Sequence, residues 1–348
     1  MGDYTARLAE AIGNRDGNSV AVLTTQLRDP GIPSNRPYEV FPIVRHWRLR
    51  YFPQILRLVR RWHPDIIHMQ FPTQGYRVGC LPLLLPSLLF LFGHKVVQTW
   101  HEYYTQDNIT VGLLPNMLIP GGLIVVRPHY VDHLPGFHRR LVRFKTFRFI
   151  PNASALPPVH LSAKQNGEIR QTFAPEAKRL IAYFGFMYPH KGVDRLLEIA
   201  APDKDRIVLI GDIDRADPYH LSLLENSQRE PWAGKVTLTG FLPDLEAARI
   251  MAAADAVILP FAGGGGMWNS SIHAAAIQGT FVLTTSRERL GYDAAENIYY
   301  ARPDDVQDMR KALNTYAGKK NTDDHMRQFP TWGSIAQEHI RFYRGLLM

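Results

Sequence analysis

The chain has 348 residues, enough for about two domains, and its 45% hydrophobic and 21% charged residues are those of an ordinary globular protein with real cores. Its single cysteine, Cys80, excludes an intramolecular disulfide and a cysteine-rich zinc site and suits a reducing compartment. The net charge of +8 is uneven, since residues 1–150 hold 18 basic against 9 acidic residues and residues 151–348 hold 22 against 23.

The first predicted element is a helix, YTARLAEAIGNRDG, at a place where a βαβ domain normally begins with a strand. Either the fold starts differently or the sequence lacks its first strand, which would leave neighbouring strands unpaired. SVAVLTT, DIIHMQ, KVVQT, GLIVV and FRFI come next as strand candidates, and FPQILRLVRRW and PLLLPSLLFLF as helical or interfacial stretches. The longest apolar run, VGCLPLLLPSLLFLFG, holds two prolines and is too short to span a bilayer. No signal peptide is visible, and MGDYTA lacks the Ser or Thr of a myristoylation site. Arginines interleave with aromatics in RHWRLRYF, RLVRR and RRLVRFKTFRF. Such a surface suits nucleic acid, a phosphorylated substrate or an anionic membrane, the bland alternative being a solvated face.

IPNASALPPVH lacks periodicity and reads as a linker, which places the domain boundary near residues 152–172. Beyond it, LIAYFGF, RIVLIG, KVTLTG, DAVILP and TFVLTT read as buried strands. Between them VDRLLEIA, PYHLSLLENSQ, DLEAARIMAAA and SSIHAAAIQ read as helices. This alternation implies a parallel sheet with helices on both faces, and ligands then sit at the carboxyl ends of the strands.

Two loops occupy such ends. In FAGGGGMWNSSIHAAAIQG four glycines precede a helix start, where backbone N–H groups favour an anion; a solvent-exposed loop that tolerates glycine is the bland alternative. In GFMYPHKG, Lys191 stands where a cation pairs with phosphate oxygens; a surface lysine is the alternative for this residue alone. Neither GxxxxGK[ST] nor GxGxxG is present. His101 comes after KVVQT, where it would donate to a phosphate, hold a substrate hydroxyl or serve as a hydrogen-bonded strand terminus. His68, inside DIIHMQ, reads as structural. Asp212 and Asp214 in GDID are a weak metal signal that turn chemistry explains, so no metal is expected. No Ser–His–Asp order or Cys–His pair supports covalent hydrolysis.

Taken in order, these residues resemble a family. YFGFMYPHKGVDRLLEIA resembles the donor-domain opening of GT-B-fold glycosyltransferases of the family-4 type, and TGFLPDLEAARIMAAADAVILPF is similar to their next segment. The glycine loop with SSIHAAAIQGTFVLTT resembles the helix and strand that come after that segment in these enzymes. PDIIHMQ, VVQTWHEY and IPNAS resemble first-domain and linker landmarks, and TWGSIAQEHIRFYRGLL resembles the terminal helix. The likeness covers nearly the whole chain. It implies an α/β, GT-B architecture: two Rossmann-like, doubly wound domains facing across a cleft, with a C-terminal helix crossing back to the first. The acceptor-side domain would span 1–155 completed by 331–348, and the nucleotide-sugar donor domain 165–330.

The implied function is transfer of a sugar from a nucleotide-sugar donor to a glycan or lipid-linked acceptor, with retention, in polysaccharide or glycolipid biosynthesis. No cofactor, no metal and no nucleic acid partner are expected, and the expected location is cytoplasmic or peripheral on the inner membrane face, where the basic first domain would touch anionic lipid. Carried over by position, Gly185, Phe186 and Lys191 would line the diphosphate, and Gly240, Phe241 and Leu242 would border the nucleobase. Gly265, Gly266, Met267, Trp268, Asn269, Ser270 and Ser271 would offer N–H groups and hydroxyls to the phosphates and donor sugar, and His101 would be catalytic. Three departures stand out: Phe186 replaces an arginine, Gly266 and Ala274 replace glutamates, and the opening strand with its glycine loop is missing from the sequence. Two other readings stay open, a nucleotide-sugar epimerase of the same fold and a non-catalytic partner that binds an anionic polymer or polysaccharide.

Overall fold

The computed structural model describes residues 2–26, 35–71, 76, 79–101, 116–176, 178–321 and 329–348. The chain divides into two compact units, Met1–Pro151 with Thr331–Met348, and Asn152–Pro330.

The first unit contains two parallel sheets. β1 (Ala21–Thr25) pairs with β2 (Glu39–Val44), and β3 (Ile67–Phe71), β4 (Val96–Trp100), β5 (Gly121–Val125) and β6 (Lys145–Phe149) form a second sheet in that order. β2 is not among the strands expected from sequence. It contains Pro42, and the β1–β2 register shifts between Leu23 and Thr25, opposite the proline. A residue without an N–H is tolerated at such an irregularity. The apolar stretch forms the helix Leu81–Leu91, with Pro82 in its first turn and Leu81, Leu85 and Leu89 buried at four-residue spacing. Among the described residues no helix is long and apolar enough to cross a membrane.

The terminal helix, Trp332–Leu347, begins with a capping box between Thr331 and Ser334. It buries Ile335, Ala336, His339 and Phe342, a stripe of three- and four-residue steps. Its close seat on the sheet depends on a glycine beneath it. A Cβ on Gly122 of β5 would come within 2.7 Å of Phe342 and 2.8 Å of Leu346.

The second unit is built on one seven-stranded sheet. Its strands are β7 (Arg179–Phe184), β8 (Asp205–Ile210), β9 (Val236–Gly240), β10 (Ala256–Leu259), β11 (Val282–Thr285), β12 (Gly291–Asp293) and β13 (Ile298–Ala301). The order is β12-β13-β11-β10-β7-β8-β9, parallel except for the edge strand β12. Residues 180–183, 207–210 and 256–259 are buried throughout, as strands covered on both faces must be. Because β7 to β10 run parallel, their carboxyl ends share one edge.

Two helices differ from expectation. VDRLLEIA yields short 3₁₀ turns and only a four-residue helix, Leu196–Ile199, which Ala201-Pro202 stops. Inside the stretch expected to hold the boundary, Ala163–Phe173 is a helix with a Ser162–Gln165 capping box. It has no fully buried residue, so it carries no apolar stripe to betray it.

Candidate functional site

At the carboxyl edge of the second sheet the three strand ends β7, β8 and β9 are tied through glycines. Gly185 N–H donates to the Ile210 carbonyl at 3.0 Å, and Gly211 N–H to the Gly240 carbonyl at 3.2 Å. Gly185 has φ +136° and faces Ser271, whose Cβ lies 3.9 Å from where a Gly185 side chain would start. No L-residue with a side chain adopts that backbone cheaply.

The loop after β7 docks on the loop after β10. Ala262 N–H donates to the His190 carbonyl at 3.0 Å, and Gly192, at φ +66°, has no room for a Cβ against the Pro260 carbonyl. This seating holds the Lys191 ammonium 4.6 Å from the centre of the Phe261 ring, a cation–π distance. Lys191, Gly185 and Ser271 are therefore brought to one edge by the fold.

The glycine loop keeps part of its polar inventory for itself. Gly265 N–H donates to Thr285 O at 2.6 Å, Gly266 N–H to Asn269 Oδ1 at 3.1 Å, and Asn269 N–H to Gly266 O at 2.8 Å. His273 Nε2 bonds the Met267 carbonyl, and Asn152 Nδ2 donates to the Trp268 carbonyl at 2.6 Å. Burial pushes the His273 imidazole down to about 4, so it stays neutral. Among the described residues, the N–H groups of Met267, Ser270 and Ser271 and the two serine hydroxyls carry no hydrogen bond. The donor set is thus narrower than the full run 265–271.

Phe186, 70% exposed, stacks on Tyr188, which stacks on His190, with ring centres 5.7 and 5.6 Å apart. Phe241, beyond β9, is 81% exposed and Leu242 is half-buried. Among the described residues neither makes a hydrogen bond or ring contact with the glycine loop. Asp212 and Asp214 serve turns, accepting from Ile213 N–H at 3.0 Å and Ala216 N–H at 2.8 Å. Among the described residues no three His, Cys, Asp or Glu side chains are placed to hold a metal ion.

His101 belongs to the first unit and closes β4. Its N–H donates to Phe71 O at 3.0 Å, and its ring is buried beside Tyr4, edge to face at 4.6 Å. His101 Nε2 bonds Gln70 Oε1 at 2.7 Å. Gln70 Nε2 approaches His68 Nε2 at 3.3 Å, which also meets Thr99 Oγ1 at 2.7 Å, and His68 Nδ1 meets the Tyr343 hydroxyl at 2.6 Å. Burial, aided by the positive amino terminus and by His339, pushes His101 down to about 3. Gln70 is absent from the residues expected from sequence. The available signal is polar alternation inside apolar strands, His68-x-Gln70 on β3 and Thr99-x-His101 at the end of β4, which places all four on one sheet face.

The basic-aromatic run of the first unit forms a surface around the edge strand β6. A concavity of about 490 Å³ is lined by residues including Arg139, Arg143, Lys145, Phe147 and Phe149. Phe137 and Phe144 are exposed beside it. Lys145 donates to Ile119 O at 2.9 Å and burial lowers it to about 8, so this lysine serves the fold first.

No protein-family model matches the chain. Among solved structures it is similar to a glycosyltransferase from Rickettsia africae (TM-score 0.76, 12% identity, 98% of this chain and 94% of that one). It is also similar to sucrose-phosphate synthase from Thermosynechococcus elongatus (TM-score 0.74, 18% identity, 99% and 92%). A third is HepE of Anabaena, solved with UDP-glucose (TM-score 0.71, 16% identity, 99% and 96%). These likenesses establish the fold: two Rossmann-like α/β domains of the GT-B glycosyltransferase type. Among curated proteins the chain is 33% identical over 183 residues to a GDP-mannose-dependent alpha-mannosyltransferase of Mycobacterium tuberculosis (strain CDC 1551 / Oshkosh). That match covers 47% of this chain and 43% of the relative, so the chain spans less than half the length of the curated relative it matches.

Proposed function

We propose that the chain is a glycosyltransferase that moves a sugar from a nucleotide-sugar donor to a glycan or lipid-linked acceptor, with retention of configuration. The observation that carries this reading is the convergence of Lys191, Gly185 and Ser271 at the carboxyl edge of the second sheet. As the bond between sugar and diphosphate breaks, negative charge grows on the leaving phosphate. An ammonium and pre-aimed N–H and hydroxyl donors stabilise that charge more than they stabilise the bound donor, and this difference accelerates the step. In this reading Lys191 supplies the cation that a metal supplies elsewhere. Ser270, Ser271 and Met267 supply the donors. The UDP-glucose of the HepE structure and the GDP-mannose of the mycobacterial relative's name support a nucleotide sugar as the donor. The exposed Phe186–Tyr188–His190 stack offers ring faces to the same ligand.

His101 takes the role of holding a substrate hydroxyl. Being neutral, it acts as a hydrogen-bonding group rather than as a cation. The acceptor belongs to the first unit in this reading. Its arginines and exposed phenylalanines suit a lipid-linked anionic acceptor and a peripheral seat on the inner membrane face.

The test is thermal unfolding of the protein with GDP-mannose, UDP-glucose, GDP and UDP. A ligand that binds the native state raises the midpoint, by an amount set by its concentration over Kd. At least one donor should do so, and Lys191→Ala should abolish the shift while leaving the ligand-free midpoint unchanged. A full shift in Lys191→Ala would remove the lysine from the site, and no shift with any nucleotide sugar would overturn the reading.

A further inference from the structure

The hydrogen bonds around His101 form a single-direction chain that starts at the end of β4 and finishes on the terminal helix. We propose that Gln70 is the positioning residue of His101: its Oε1 accepts the Nε2–H proton, holding the ring in that tautomer and leaving Nδ1 as the lone pair offered to a substrate hydroxyl. The inference rests on the reading of His101 as a substrate-facing group and adds to it the atom that faces the substrate.

Each link fixes the next. With Oε1 turned to His101, the Gln70 amide directs its N–H toward His68 Nε2 at 3.3 Å. His68 Nε2 is then an acceptor, which suits the Thr99 hydroxyl at 2.7 Å, and His68 Nδ1 carries the proton given to the Tyr343 hydroxyl at 2.6 Å. Neutral imidazole has one donor and one acceptor nitrogen, so in this direction His68 is paired at both nitrogens and His101 at Nε2. Among the described residues His101 Nδ1 has no hydrogen-bond partner. A buried ring held by one hydrogen bond and one aromatic edge has its orientation set by the amide, because Tyr4 constrains the ring plane but not which nitrogen is protonated.

Among the described residues the groups facing His101 are Tyr4 of the amino-terminal helix, Gln70 and His68 of β3, and His339 of the terminal helix, and the positive amino terminus of the chain also acts on the ring. Tyr343, on the same helix, closes the far end of the chain. None is anionic. Nothing among them therefore favours the imidazolium, and burial keeps the ring neutral through the physiological range.

The experiment uses the full chain labelled with ¹⁵N-histidine, the His101 signals being assigned by their absence in His101→Ala. In the wild type at pH 7, long-range ¹H–¹⁵N correlations should show a protonated Nε2 and an unprotonated Nδ1. Gln70→Met, close in volume, should give mixed tautomers. It should also lower kcat for release of nucleoside diphosphate from GDP-mannose or UDP-glucose by about tenfold or more, leaving the donor KM within about twofold. Gln70→Glu still accepts from Nε2–H but adds an anion, so it should keep the tautomer and move the acid limb of the pH–rate profile to higher pH. An unchanged tautomer and kcat in Gln70→Met would overturn the proposal, as would a protonated Nδ1 in the wild type. The tautomer readout needs no turnover. A wild-type signature as stated together with full activity in His101→Ala would instead overturn the assignment of His101 and leave the positioning by Gln70 standing.

Discussion

Gly266 stands where the resembling family carries a glutamate, and the structure gives a steric reason. A Cβ on Gly266 would overlap the Trp268 ring, so the indole already fills the direction in which a side chain would leave. Ala274, the second such position, is fully buried in the second unit's core, where a carboxylate would lose its hydration. The substitutions are therefore correlated with the packing around them rather than scattered losses. The Gly266→Glu variant should destabilise the protein by about 1–3 kcal/mol, the usual cost of overpacking, and adding Trp268→Gly should recover much of it. Denaturant midpoints of the two single variants and the double variant measure the coupling, and additive losses would contradict the steric explanation. Gly192 makes a second case. Its positive φ and the Pro260 carbonyl both exclude a side chain, and the docking it permits is what seats Lys191. Gly192→Val should cost about 1–3 kcal/mol and also weaken nucleotide-sugar protection, so that stability and ligand response fall together.

The terminal helix shows how much one element can govern. It lies over Gly122, with Phe342 and Leu346 filling the space a side chain would need, and it carries His339 and Tyr343 to the histidines of β3 and β4. Gly122→Val should lift the helix, lowering the thermal midpoint and opening the 331–348 segment to limited proteolysis; an unchanged cleavage pattern would contradict this packing. The same element carries a pH prediction. Burial is the first cause that holds His101 down to about 3, His339 down to about 4, and His68 well below the usual range. Unfolded, each takes a proton below about 6.5. Between pH 6.5 and 4 the unfolded chain thus binds more protons than the native one, so stability is complete above pH 6.5 and falls as pH drops through that window. The slope is at most about 1.4 kcal/mol per histidine per pH unit. Thermal midpoints from pH 7.5 to 4.5 should fall accordingly, and His339→Leu should flatten the fall. A midpoint that does not change with pH would show the histidines to be solvated. The same physics decides how far each element is legible in sequence. Strands β7, β8 and β10 hold continuous apolar runs and announce themselves, whereas β2 contains a proline and the Ala163–Phe173 helix has no buried stripe. The site's outline, glycines and a lysine at strand ends, is legible because those residue types have backbone and charge reasons to be there. The internal bonding of the glycine loop and the role of Gln70 are not, because both depend on which side chains the sheet brings face to face.

At the scale of the whole molecule the charge divides with the fold, all of the excess lying in residues 1–150. Within that unit the arginines are not equivalent. Arg148 is held 2.8 Å from Glu338 of the terminal helix, and Lys145 is committed to the Ile119 carbonyl, so neither is at liberty to serve a ligand. Arg139 donates to the Asp132 carbonyl at 3.1 Å, a neutral partner that leaves its charge uncompensated, and no carboxylate pairs with Arg140 or Arg143 among the described residues. These three cations lie on the short helix Gly136–Val142 and just beyond it, in a stretch that also carries exposed Phe137 and Phe144. Cations near a leaflet of anionic lipid each contribute about 1 kcal/mol, screened by salt over about 8 Å, while buried aromatic area adds a part that salt does not weaken. Vesicles with anionic headgroups should therefore retain the protein more strongly than zwitterionic ones, and the difference should shrink from about 50 to about 300 mM salt. Arg139→Ala with Arg140→Ala should lower the retention about tenfold or more at low salt, with donor protection unchanged. Phe144→Ser should lower it by an amount that persists at high salt. Retention unaffected by the arginine pair would assign the positive excess to some other anion, of which a phosphorylated acceptor free in solution is the one the site chemistry favours.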